Sequence, residues 1–333
     1  MKINTIILSR TDSLGDVILS LPLAGAIKLH NPNIRVIFLG RTYSKSIIET
    51  SSFVDKFIDF DEITKLSTEE QISFFKNLKA DAIIHIFPKK EIAKLAKKAN
   101  IPLRIGTSHR MFHLLTCNKK PNFTRKNSDL HEAQLNFKLL EPLKIKTNYT
   151  LSEIPDLYGY NNFCKLNDKL QNLISNKRFN LILHPKSKGS AREWGLENFS
   201  NLIELLPENK YKIFVTGTQE EGNLITDFLE KYKDRITDLT GRLSLEEFVS
   251  FISKADALLA ASTGPLHIAA ATGIKAIGIF APMRPIHPGR WKPIGKQADY
   301  LVLDKENCTD CKDGSVCTCI LSIEAQHVAE KLK

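Results

Sequence analysis

Residues 259–280, LAASTGPLHIAAATGIKAIGIF, read as strand, anion-binding turn, helix and strand in one piece. Residues 256–260 supply a short apolar strand, Ser262 and Thr263 are N-cap residue types, and Pro265 suits a first helical turn. Ala269, Ala270 and Ala271 let the helix lie close to a sheet, Gly273 fits its C-cap, and residues 275–280 form the next buried strand. The helix N-terminus then faces outward, where backbone N–H groups and the positive end of the helix dipole suit a phosphate, with Thr263 and His267 as further donors. The same segment also reads as an ordinary capped helix of an α/β domain that holds no ligand.

Outward from this segment the strand–helix alternation continues in both directions. Towards the N-terminus, strands are expected at 4–8, 35–39 and 82–87 and helices at 16–29, 69–78 and 130–140. Nearer the opening segment, strands are expected at 179–184, 211–216 and 236–239 and helices at 196–206, 220–231 and 244–254. Alternation of this kind predicts βαβ units and parallel sheets. A chain of 333 residues accommodates two such domains, each large enough for its own core. The turn-rich stretch 143–162 is the expected linker, which gives domains 1–155 and 156–333, with the last helix on either lobe. Two doubly wound, Rossmann-like α/β domains facing across a cleft are expected, with ligands at the carboxyl ends of the strands.

The net charge of +10 is unevenly spread: residues 1–155 carry 24 Lys and Arg against 15 Asp and Glu, residues 156–333 carry 23 against 22. Most of the excess lies between Lys89 and Lys126, which suits an anionic macromolecule or membrane surface, or simply a solvated face. No RNP, zinc-finger or helix-turn-helix pattern accompanies it, so nucleic acid is not expected as a partner. The opening MKINTIILSRTDSLGD lacks a signal-peptide pattern and no apolar run reaches about 18 residues. The expected location is the cytoplasm.

Three constellations carry chemistry. In SRTDSLGDVILSLPL, Gly15 is expected to permit a tight turn after the first strand, and Asp16 to project where a carboxylate takes a proton from a hydroxyl; the alternative is that Asp16 or Asp12 complements a helix dipole. In HPKSKGSAREW, Lys186, Ser187, Lys188 and Arg192 gather cations and hydroxyls suited to a diphosphate, while Trp194 reads as a packing residue. Glu220 and Glu221 stand where carboxylates hold ribose hydroxyls, or are exposed residues that start a helix. The dinucleotide fingerprint G-x-G-x-x-G is absent.

Taken together, SLGDVILSLP, HPKSKGSAREW, GRLSLEEF at 241–248, STGPLHIAAATG, RIGTSHR at 104–110 and HEAQLNFKLL from His131 resemble glycosyltransferase family 9, the ADP-heptose:lipopolysaccharide heptosyltransferases. The resemblance spans nearly the whole chain. It implies a GT-B fold and an inverting transfer of heptose from ADP-heptose to a lipid-anchored acidic glycan of the lipopolysaccharide inner core, at the inner membrane surface, with no metal needed for catalysis. It makes Asp16 the general base, Arg192 the cation facing the leaving ADP, and Lys186, Ser187, Lys188, Glu221, Leu243, Ser262, Thr263, Gly264 and His267 donor-binding residues. Leu243 would face adenine through its backbone. Gly15, Arg104 and Arg110 fall on the acceptor side. Ser262 departs from members that have aspartate there, which bears on donor contacts rather than on fold.

Cys308, Cys311, Cys317 and Cys319 resemble a cysteine-rich ending of the wider family. They suit either a structural Zn or Fe clip or reduced free thiols, the C-x-C pair being tight for a tetrahedral ion. Competing functional readings are a family member with another nucleotide sugar or a protein acceptor, a nucleotide-sugar epimerase of the same fold, and a binding protein without turnover.

Overall fold

The computed structural model describes residues 2–125, 128–305, 308–309 and 316–333. The chain divides into two compact units, Met1–Asn162 and Phe163–Lys333. The first holds a parallel sheet of β1 (Thr5–Ser9), β2 (Arg35–Gly40), β3 (Lys56–Asp59), β4 (Ala82–His85) and β5 (Leu103–Ile105), in the order β3-β2-β1-β4-β5. The second holds β6 (Phe179–His184), β7 (Tyr211–Val215), β8 (Ile236–Asp238), β9 (Ala257–Ala261), β10 (Lys275–Phe280) and β11 (Ala298–Val302), in the order β11-β10-β9-β6-β7-β8. Every ladder is parallel. The central strands are buried on both faces, as runs such as Ile6–Ile7–Leu8 and Leu258–Leu259–Ala260 require.

Both orders reverse direction about a central pair of strands, and that reversal is where open α/β sheets form ligand crevices. In the first unit the pair is β1 and β4, with Ser9 opposite His85 at their carboxyl ends. In the second it is β6 and β9, with His184 opposite Ala260.

Several elements differ from the sequence reading for identifiable reasons. The helix expected over 16–29 is two, Leu14–Ile18 and Pro22–His30, because Pro22 has no N–H to continue the first. Gly15 sits inside the shorter helix and is not among the glycines with a left-handed backbone, so the tight turn expected of it is not made there. The helix expected over 220–231 breaks into Gln219–Asn223 and Thr226–Lys231.

The division falls after Asn162 rather than after Pro155. The segment beyond Pro155 packs on the first unit: Leu157 and Tyr158 are buried, the Ser51 hydroxyl donates to Tyr158 O at 2.6 Å, and Ser51 bridges Tyr160. Gly25, on the helix Pro22–His30, makes this docking possible, since a Cβ there would stand 2.3 Å from Leu157 O.

The last helix, Ala325–Leu332, packs in the second unit against Leu196–Leu205, burying Val328 and Leu332. Trp194 is buried against Phe199 in the same core, and its indole N–H donates to Ile323 O at 2.8 Å. No helix among the described residues is long and apolar enough to cross a membrane.

Candidate functional site

In the first unit β1 ends at Ser9 and leads into RTD, which carries Arg10 into the interior at 3% exposure. A buried guanidinium needs acceptors on every side. Arg10 Nε donates to Asp12 Oδ1 at 2.8 Å, Nη2 to Asp12 Oδ2 at 3.0 Å and also to Asp16 Oδ1, and Nη1 to Asn136 Oδ1 at 3.3 Å. Glu132 Oε1 lies 3.7 Å from Nη1. Glu132 and Asn136 are one turn apart on the helix Glu132–Phe137, both almost fully buried, and Arg125 reaches the same two side chains at 2.9 and 3.0 Å. The second oxygen of Asp16 accepts from Ser13 Oγ at 2.5 Å. Burial pushes the Asp12 carboxyl up, against the pull of Arg10. Asp16 is therefore a half-buried carboxylate of fixed orientation just past the carboxyl end of β1, in the first turn of a helix. Sequence reasoning missed Arg10, Glu132 and Asn136; the available signal was a charged residue at the end of an apolar strand.

In the second unit two segments leave the neighbouring strands β6 and β9 at the point of reversal. After β9, the helix Gly264–Thr272 starts with Thr263 as N-cap, but the Thr263 hydroxyl donates backward to Ala261 O at 3.2 Å and makes no cap. Thr263 and His267 are buried, and Ser262 and Gly264 half-buried. The start of that helix therefore has no side-chain cap.

After β6 come Lys186, Ser187, Lys188 and Arg192. Here Glu193, not singled out from the sequence, organises the loop. It pairs with Lys186 Nζ and accepts from the Ser187 backbone N–H at 2.9 Å and hydroxyl at 3.0 Å. Lys188, at φ 48°, faces Glu220 across 3.5 Å, an exposed pair of the kind that holds little energy and yields readily to a ligand. Arg192 lies half-buried in the same loop.

Glu221 is 5% exposed and completes a capping box: its carboxylate accepts from Thr218 N–H at 2.8 Å while its own N–H donates to Thr218 Oγ1 at 3.3 Å. Of the two glutamates only Glu220 is exposed. Between these loops His184, at the end of β6, shares a hydrogen bond with Thr216 Oγ1 at 3.0 Å and stacks on Phe248. Burial pushes its pKa down to about 4, against the pull of Glu221 and Glu193, so it is neutral at pH 7. Leu243 is half-buried just ahead of the helix Leu245–Ile252.

Two further groups expected from the resemblance lie elsewhere in the chain. Arg104 donates from Nε to Thr116 O at 2.7 Å and from Nη1 to Ile101 O at 2.5 Å, so it ties down main chain of its own unit; Arg110 is exposed. Cys308, Cys317 and Cys319 are buried, with the Cys308 and Cys319 sulfurs 3.4 Å apart, and Cys311 lies outside the described residues. Among the described residues no three His, Cys, Asp or Glu side chains gather as a metal set.

Comparison with known proteins gives a consistent picture. A Haemophilus influenzae protein whose name places it only among the glycosyltransferases is 28% identical over 299 residues, 87% of this chain and 86% of its own length. The lipooligosaccharide heptosyltransferase 2 of Campylobacter jejuni serotype O:6 is 24% identical over 96% of this chain and 95% of its own. The solved Escherichia coli ADP-heptose lipopolysaccharide heptosyltransferase II superposes with a TM-score of 0.72 at 14% identity, covering 99% of this chain and 97% of that one, which shows a shared GT-B fold. Residues 72–320 match the profile of glycosyltransferase family 9 (heptosyltransferase). The chain belongs to that family and is a glycosyltransferase.

Proposed function

We propose that this glycosyltransferase transfers a heptose from ADP-heptose, with inversion, to a hydroxyl of the lipopolysaccharide inner core, acting in the cytoplasm at the inner membrane surface. Asp16 takes the proton of the acceptor hydroxyl as its oxygen attacks the anomeric carbon. The bond from that carbon to the diphosphate breaks, and ADP departs with the negative charge. Arg192, Lys188 and the helix start at Ser262–His267 hold that charge, and Lys186 with Ser187 shapes the loop through Glu193. No step as written calls for a metal.

The observation that carries this reading is the pair of segments leaving β6 and β9 side by side, one rich in cations, the other an uncapped helix start. The named heptosyltransferases of C. jejuni and E. coli support the choice of sugar and acceptor. The experiment mixes purified chain with ADP-heptose and a deep-core acceptor and follows product by mass spectrometry. A heptosylated acceptor with ADP released is expected. Isomerised donor in the absence of acceptor makes the protein an epimerase instead, and ADP-heptose binding without turnover makes it a binding protein.

A further inference from the structure

The helix Met111–Thr116 follows β5 at the edge of the first sheet and is sided in an unusual way. Its inner face is pinned: His113 and Thr116 are buried, His113 Nδ1 bonds Thr107 O at 2.9 Å, and the His113 ring lies 5.6 Å from that of His85. Its outer face is apolar and bare, with Met111 at 87%, Leu114 at 58% and Leu115 at 75% exposure. These three occupy i, i+3 and i+4 and so form one surface. Scattered exposed leucines need no explanation, but three on one helical face form a patch that does.

The surroundings of the patch are basic. The helix Lys90–Lys98 packs against it, buries Ile92, Ala93, Leu95 and Ala96, and turns Lys90, Lys94, Lys97 and Lys98 outward; Lys97 Nζ donates to Leu115 O at 2.8 Å. Arg110 precedes the patch and Lys119 and Lys120 follow it, all exposed. Between Lys89 and Lys126 the sequence carries eleven Lys and Arg against one acid, Glu91.

We infer that this face is a docking surface for an anionic lipid bilayer, with Met111, Leu114 and Leu115 entering the headgroup boundary and the lysines resting on lipid phosphates. Apolar side chains ringed by cations match an acyl boundary covered by anionic headgroups. A second copy fits poorly, because a two-fold contact through this face sets lysines against lysines. The surface deepens the proposed function, which puts the chain at the inner membrane surface, but rests on the exposed side chains and charges alone.

The test is flotation of the full chain with phosphatidylglycerol/phosphatidylethanolamine vesicles and with phosphatidylcholine vesicles, in 0.15 M salt. The parent should float with the anionic vesicles alone. Met111→Ser, Leu114→Ser and Leu115→Ser combined should lower partition by at least about tenfold, and Lys94→Gln with Lys98→Gln by about fivefold per lysine, with thermal midpoints unchanged because all five side chains are exposed. The inference is overturned if the parent does not bind anionic vesicles, if the serine variant binds as well as the parent, or if the parent is a dimer that the serine variant dissociates. Vesicle binding needs neither donor nor acceptor, so it stands if heptose transfer is disproved. Conversely, transfer by the serine variant to a delipidated, water-soluble acceptor should match the parent, so a membrane failure leaves the enzymatic reading intact.

Discussion

Arg10 and Asp16, six residues apart, are joined as an ion pair in which the arginine is 3% exposed and the aspartate side chain 19%. The same guanidinium holds Asp12 and Asn136, so the orientation of Asp16 is set by the helix Glu132–Phe137, more than a hundred residues later. A carboxylate fixed in this way is suited to receive a proton from one direction.

Asp16→Ala should reduce heptose transfer by at least about 10²-fold while leaving ADP affinity nearly unchanged, since the residues proposed to hold the donor are on the other unit. Steady-state rates together with ADP titration calorimetry check this. Parental turnover in the variant removes Asp16 from the mechanism.

Arg10→Met should unfold more easily than the parent by about 2 to 4 kcal/mol in urea, because Glu132 and Asp12 lose a buried counter-charge. Glu132→Gln together with Arg10→Met should recover part of that loss. Additive losses in this double-mutant cycle would show the two side chains to be uncoupled.

Gly25→Ala should destabilise the first unit, by about 1 to 3 kcal/mol, although alanine is the better helix former. The added methyl meets Leu157 O, so the segment beyond Pro155 must shift. A raised denaturation midpoint for the variant would contradict this packing.

His184 and His85 are both buried and neutral in the fold, with pKa values pushed down to about 4 and about 3 by burial. A histidine in the unfolded chain titrates near 6.5, so in acid the unfolded state binds more protons. Stability contributed by keeping these rings neutral is complete above that value and is lost as pH falls from about 6.5 towards about 4 for His184 and about 3 for His85, at about 1.4 kcal/mol per pH unit for each ring. Urea midpoints at pH 7 and pH 4.5 for the parent and for His184→Gln measure it, and the variant should show the shallower loss.

Arg192→Ala should weaken ADP binding and slow transfer together. An effect confined to acceptor affinity, read from KM values for each substrate, would move Arg192 to the other side of the reaction.

Much of the fold was legible because parallel strands buried on both faces write themselves as apolar runs: residues 179–184 match β6, and 275–280 match β10. Breaks were harder. Pro22 sits where an apolar helical pattern continues on both sides, and periodicity alone does not register the missing N–H. In the candidate site, Lys186, Ser187 and Arg192 could be placed in one loop from composition, but not the charge that organises them, since Glu193 looks like any polar residue ahead of a helix. Arg104 shows the converse. The resemblance puts it on the acceptor side, and only coordinates reveal that its Nε and Nη1 donate to main-chain carbonyls of its own unit.

The backward-facing hydroxyl of Thr263 has a thermodynamic consequence. An N-cap that serves the preceding strand leaves Gly264–Thr272 short of the roughly 1 kcal/mol that a serine or threonine cap ordinarily gives a helix. On the proposed function, a donor phosphate would supply the acceptor that the Thr263 side chain withholds, so that occupancy and integrity of the second unit would become one equilibrium. The nucleotide would then work as a removable part of the architecture, and a ligand at a hundred times its dissociation constant would add about 2.7 kcal/mol against unfolding.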